Sequence, residues 1–98
     1  MIDISTKPNK RRDRLEIIYS ILKVVQNHHN KIKPTPLLRY SNISSQSFQG
    51  YYKELLEKSL LVEELDRKGR KHISLSEKGF KFLEKYSIIL DFIEEFEL

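Results

Sequence analysis

The chain has 98 residues, 39% of them apolar and 33% charged, with no cysteine and a formal net charge of +4. That length holds one domain and one small core, with no room for a catalytic domain beside a binding domain. The lack of cysteine excludes a disulfide scaffold and a thiolate metal site, and no run approaches the roughly 18 apolar residues that would span a bilayer.

Charge is spread unevenly. Residues 1–53 hold ten Lys and Arg against three Asp and Glu, whereas residues 54–98 hold eight against eleven. A basic front and an acidic tail suit a protein that meets a polyanion with one side. The N-terminus carries no apolar signal core, so the expected location is the cytoplasm, in association with the nucleoid.

Residues 1–10 are polar, contain Pro8 and lack periodicity, which predicts a flexible basic arm; its cations, Lys7 and Lys10, run on into Arg11, Arg12 and Arg14. From Asp13 a helical pattern begins. Leu15, Ile18, Ile21, Leu22 and Val25 form one apolar stripe at three- and four-residue spacing, which Ile17 and Val24 widen. The polar cluster Asn27–Asn30 ends it. Thr35 then suits a helix N-cap and Pro36 the first helical position, predicting a short helix to about Tyr40. Ser41-Asn42-Ile43 reads as a turn with an apolar plug, and Ser44 caps a third helix running to about Lys58.

Periodicity changes at Leu60. Leu61–Leu65 and His72–Leu75 read as two strands, joined by a basic turn in which Gly69 supplies positive φ. Ser76 caps a last helix to about Phe96, with Glu77 at its positive end. Helix, short helix, turn, helix, hairpin and long helix are the parts of a winged helix-turn-helix domain. The expected fold class is mainly α, of the α+β kind, with residues 11–75 as the winged domain and 76–98 as a dimerisation helix.

A helix about 10–12 Å across fits the DNA major groove, and a reading helix needs an apolar inner face and a polar outer one. The third helix has this form. Phe48, Tyr52, Leu55 and Leu56 share one face, while Gln46, Ser47, Gln49, Gly50 and Lys53 lie on or near the other, and Ser44 and Ser45 stand at the helix start. Glutamines can pair with adenine edges, and serines with bases or phosphates. Gly50 costs a helix interior about 1 kcal/mol relative to Ala; close approach of a neighbouring backbone or of DNA would explain it, and so would chance. At the hairpin tip Arg67, Lys68, Arg70 and Lys71 place four cations within five residues, free of the core. Phosphates, or the negative minor groove of an A·T-rich tract, are their natural partners. Arg39 and the helix N-terminus at Thr35 add candidate backbone contacts.

In the last helix Phe82, Tyr86, Ile89, Ile93 and Phe96 follow a heptad seam, with Phe80, Leu83 and Leu90 as a second stripe. Two stripes predict that one faces a partner, making a two-fold dimer suited to paired half-sites; the alternative is a single wide stripe buried within one monomer. Catalysis is not expected. His28, His29 and His72 are the only imidazoles, and adjacent histidines on a helix point about 100° apart, too divergent to chelate. The sequence has no phosphate loop, His-Glu metal motif or nucleophile elbow. No catalytic residue, metal, cofactor or small-molecule ligand is assigned.

Four stretches carry a family resemblance: Arg11-Arg12-Asp13-Arg14-Leu15-Glu16-Ile17-Ile18, Leu38 to Ser44, Leu55-Leu56-Glu57-Lys58 and Leu75-Ser76-Glu77-Lys78-Gly79. Together they resemble the small archaeal winged-helix DNA-binding proteins that dimerise through a C-terminal helix, over roughly Arg11 to Phe96. The resemblance implies duplex DNA binding by a homodimer joined through an antiparallel coiled coil, in transcriptional regulation or chromatin organisation. It makes Ser44–Lys58 the reading helix, Arg67–Lys71 the wing tip and Phe82–Phe96 the dimer seam. Two features depart from it: a tail shorter than the long coiled coil of some relatives, and a wing longer and more basic than in several. A winged-helix module that binds an acidic protein is the reading from another class.

Overall fold

The computed structural model describes residues 10–98, with side chains from Arg14 onward. In chain order it contains α1 (Lys10–Asn27), α2 (Pro34–Ser41), α3 (Ser45–Glu57), β1 (Leu61–Leu65), β2 (Lys71–Leu75) and α4 (Glu77–Glu95). The mainly helical architecture with a two-stranded wing is the one expected. Of the arm expected at residues 1–10, Lys10 opens α1, and residues 1–9 lie outside the described residues.

The apolar stripe of α1 goes inward as its spacing predicts, with Ile18, Ile21, Leu22 and Val25 all buried. The helix starts at Lys10, three residues before Asp13. It stops where His29 and Asn30 both turn to positive φ. Asn30 tolerates that conformation, and its side chain also bonds across the chain, where Oδ1 accepts the Leu75 N–H at 2.7 Å. One residue thus ends the first helix and ties it to the end of β2. Ile32 follows as a one-residue strand, exchanging backbone bonds of 3.0 and 2.7 Å with Ile73.

Helix α2 begins earlier than Pro36. Pro34 occupies its first turn, the cap position falls to Lys33, and the Lys33 side chain makes no capping bond. The fixed φ of proline suits this position equally at Pro34, and the Leu37 N–H closes the first turn on the Lys33 carbonyl at 3.1 Å. Thr35 therefore lies inside the helix rather than capping it. At the other end Ser41 is buried but satisfied, its hydroxyl donating to the Leu37 carbonyl at 2.7 Å. Asn42 turns the chain at φ 58°, Ile43 plugs the turn, and Ser44 caps α3 by accepting the Ser47 N–H at 3.1 Å.

The strands pair antiparallel, Leu61 opposite Leu75 and Glu63 opposite Ile73, out to Leu65 opposite Lys71. Leu61, Ile73 and Leu75 are buried beneath the helices. Beyond Leu61, β1 is exposed along its whole length, so the core anchors the base of the hairpin and leaves its far half in water. The seven most deeply buried side chains are Ile21, Leu22, Val25, Leu37, Leu55, Leu61 and Ile73; they come from five segments of the chain. Each contributes about 1.5–3 kcal/mol on burial, and together they fuse helices and wing into one body.

The Ser-Glu-Lys-Gly start of α4 acquires a physical meaning here. Ser76 accepts the Gly79 N–H at 3.0 Å and donates to the Ser59 carbonyl, while Lys78 reaches the Lys58 carbonyl at 2.8 Å. A Cβ on Gly79 would stand 2.3 Å from the Leu60 carbonyl oxygen. The absent side chain is what lets α4 seat on the corner between α3 and β1.

Candidate nucleic-acid interface

Helix α3 sorts its residues cleanly. Phe48 and Leu55 are buried, and Tyr51, Tyr52 and Leu56 pack partly against the core. Ser45 at the helix start is exposed, as are Gln46, Ser47, Gln49, Gly50 and Lys53 on the other side. Among the described residues the side chains of Ser45, Gln46, Ser47 and Gln49 hold no internal hydrogen bond, so their donors and acceptors are open to a ligand. Gly50 has nothing within 4 Å of an added Cβ. Close packing inside the protein, one explanation for that glycine, is thereby removed.

The structure gives the wing an organiser that charge counting overlooked. Asp66 stands just before the turn, where its carboxylate accepts the backbone N–H groups of Lys68 at 2.8 Å and Arg70 at 2.9 Å. It also meets Arg70 Nε at 2.9 Å and His72 Nε2 at 3.3 Å. These donors, the Arg70 N–H foremost, hold the carboxyl well below the usual carboxylate range. Asp at the first position of a turn is itself a signal. Gly69 adopts φ 78° as expected. The four cations therefore divide into two pairs. Arg67 and Lys68 are exposed without a side-chain partner among the described residues, whereas Arg70 pairs with Asp66 and Lys71 lies 3.5 Å from Glu63. The tip is less self-repelling than its sequence suggests, because its anions are built in.

Two further links tie this face together. The Tyr52 hydroxyl donates to Glu63 Oε2; burial, then the carboxylate, pushes the phenol above its ordinary range and keeps it protonated. On the opposite flank Arg14 makes a two-pronged pair with Glu54, which Lys58 joins at 2.7 Å. Hydrogen bonds from Arg14 and then Lys58 pull the Glu54 carboxyl down to about 2. Arg14, also a candidate DNA contact, thereby links α1 to α3. The side chains of Arg11 and Arg12 lie outside the described ones.

Three candidates from separate elements meet around one groove of 260 Å³: Thr35 from α2, Gln49 from α3 and Lys71 from β2, over a floor that includes Phe48 and Tyr52. Arg39 stays apart, exposed on α2 with its guanidinium 5.4 Å from the Tyr40 ring. Among the described residues no three His, Cys, Asp or Glu side chains converge as metal ligands, and no helix is long and apolar enough to cross a membrane.

The heptad seam of α4 is divided. Tyr86 is buried and its ring lies 4.9 Å from that of Tyr19 on α1, while Phe82 stacks on Tyr86 and packs against the core. These two belong to the chain's own interior, because the pinned start of α4 lays its first turns against the body. Phe80, assigned inward by periodicity, is exposed instead. Past Tyr86 the pattern reverses: Ile88, Ile89, Phe92 and Phe96 are exposed, Phe92 by 54%, and Ile93 is half-buried.

The winged helix-turn-helix family profile matches residues 11–94. An uncharacterised protein of Methanocaldococcus jannaschii is 34% identical over 83 residues, a stretch that covers 85% of this chain but only 36% of that relative. The crystal structure of Sso10a-2, a DNA-binding protein from Sulfolobus solfataricus, superposes with a TM-score of 0.68 at 22% identity, over 85% of this chain and 83% of that one. MepR, a transcription regulator of the Staphylococcus aureus multidrug efflux pump MepA, superposes with a TM-score of 0.71 at 20% identity, over 81% of this chain and 59% of that one. The archaeal winged-helix resemblance seen in the sequence holds, and the two solved structures share the fold.

Proposed function

The chain belongs to the winged helix-turn-helix family, and on that footing we propose that it is a homodimeric transcriptional regulator that grips duplex DNA with α3 and the basic wing. The observation that carries this reading is the meeting of Thr35, Gln49 and Lys71 around one groove beside the open polar face of α3. In this reading Gln46 and Gln49 read base edges, Ser44, Ser45, Ser47 and Lys53 contact bases or phosphates, and Arg39, Arg67 and Lys68 hold the backbone. Arg11 and Arg12 extend the basic side. The exposed apolar stretch of α4, Ile89 to Phe96, joins two copies so that two reading helices are presented together. The chain binds rather than catalyses, and it acts at the nucleoid in the cytoplasm.

Sso10a-2, described as DNA-binding, and MepR, described as a transcription regulator, lend this reading support. The test is duplex binding titrated at several salt concentrations. Affinity should fall steeply as salt rises, because bound phosphates release counterions. Undetectable binding at low salt would overturn the proposal and favour a module for an acidic protein partner. A selection of bound sites from random duplexes then separates a regulator, which enriches a motif, from an architectural protein, which enriches none.

A further inference from the structure

Glu63 lies on the helix-facing side of β1, in line with Leu61 and Leu65 and opposite Ile73. One of its oxygens, Oε2, accepts the Tyr52 hydroxyl of α3 and stands 3.5 Å from Lys71 Nζ of β2. Tyr52 is held in turn by stacking on the buried Phe48 at 5.5 Å. Among the described residues this is the only side-chain hydrogen bond between α3 and the hairpin. The core anchors the hairpin at Leu61, Ile73 and Leu75, but Val62 to Leu65 are exposed, Leu65 by 68%. Packing therefore sets where the wing is rooted and leaves its tilt over α3 to other forces.

A carboxylate beside Lys71 also works against a polyanion. By charge alone the groove would bind phosphate better without it. We propose that Glu63 is a positioning residue, joining Tyr52 to Lys71 so that the wing and α3 are held at the angle at which both engage one duplex. This rests on the DNA-binding reading, and its value is that charge and position predict opposite signs.

The experiment compares duplex affinity across salt for the wild type and for Tyr52→Phe, Glu63→Ala, Glu63→Gln and the Tyr52→Phe/Glu63→Ala pair, with thermal unfolding followed in parallel. Tyr52→Phe keeps the ring and every charge. It and Glu63→Ala should each weaken binding by about 5–10-fold and reduce the salt slope by about one, as one phosphate contact is lost. A role confined to stability would move the melting curve and leave the slope alone. The pair should be no worse than the worse single variant, since both break one link. Glu63→Gln retains an acceptor for Tyr52 and should fall between Glu63→Ala and the wild type. Tighter binding by Glu63→Ala with Tyr52→Phe unchanged overturns the inference, leaving Glu63 as a repelling charge only. Loss in Tyr52→Phe alone overturns it too, because the hydroxyl would then touch DNA itself. A wild type that fails to bind duplex at low salt removes the DNA reading as a whole, an outcome visible before any variant is compared.

Discussion

Helices α3 and α4 are built to one plan at their starts. A serine just outside each, Ser44 or Ser76, accepts the N–H three residues on; each helix also carries one glycine and several aromatic residues. Their outer surfaces then diverge. On α3 the aromatics turn inward and the exposed face is serine, glutamine, glycine and lysine, groups that water satisfies as well as a ligand does. Beyond Tyr86, α4 exposes Ile88, Ile89, Phe92 and Phe96, and each would gain about 1.5–3 kcal/mol if fully covered. The difference separates two kinds of surface. A polar face can wait in water for a charged partner, whereas a contiguous apolar stretch gains from a cover at all times.

The two glycines give the sharpest way to break this comparison, and Gly79 carries the largest effect. Gly79→Ala drives a Cβ into the Leu60 carbonyl, a backbone atom that cannot swing aside. Overpacking of this kind should cost about 2–3 kcal/mol and lower Tm by roughly 10–20 °C. A thermal melt checks it. An unchanged Tm would mean that α4 can lift from the corner, and that the Ser76 and Lys78 bonds do not fix its seat.

Next comes the apolar face itself. Phe92→Asp removes one exposed apolar side chain and adds a charge to the face proposed to join two copies. Self-association should weaken by about 30-fold or more, read as a shift from dimer to monomer in sedimentation, with Tm measured at high dilution little changed. Tyr86→Ala should behave in the opposite way, lowering Tm through the lost contact with Tyr19. If Phe92→Asp remains a dimer, the two copies meet elsewhere.

These variants also mark how far the sequence could be read. The inward stripe of α1, the cap at Ser44 and the hairpin at Gly69 were legible because each depends on local spacing or on one residue's backbone preference. The groove was legible in part: Thr35, Gln49 and Lys71 were candidates, but only packing brings them around one space. What stayed hidden were pairings across the chain. Arg14 reads as a free cation until the fold sets Glu54 beside it, forty positions away. Phe82 and Tyr86 read as a seam until the corner at Leu60 fixes the rotation of α4. The place of Glu63 shows only once the fold brings Tyr52 to meet it.

The wing offers a smaller effect that tests the division of its cations. Lys68→Ala should weaken DNA binding by about 3–10-fold at low salt and shorten the salt slope by about one. Arg70→Ala should change the slope less, because its charge is already matched by Asp66. Its loss of affinity should instead track a looser turn, seen as faster hydrogen exchange at the Lys68 and Arg70 amides that Asp66 holds. Equal slopes for the two variants would show that Arg70 leaves Asp66 to contact phosphate.

The smallest effect belongs to Gly50, and its interest lies in a difference of sign. An added methyl meets nothing within 4 Å, so Gly50→Ala should stabilise the fold by about 0.5–1 kcal/mol through restricted backbone freedom alone. Affinity for duplex DNA need not follow. If α3 lies in the major groove with its exposed face against the bases, the methyl falls at the contact and binding should weaken by about 3-fold even as Tm rises. A rise in both would place Gly50 outside the DNA contact and rotate the reading face toward Gln46 and Lys53. A rise in Tm with weaker binding would leave close approach of the duplex as the reason a glycine fits this open helix, since the protein itself supplies none.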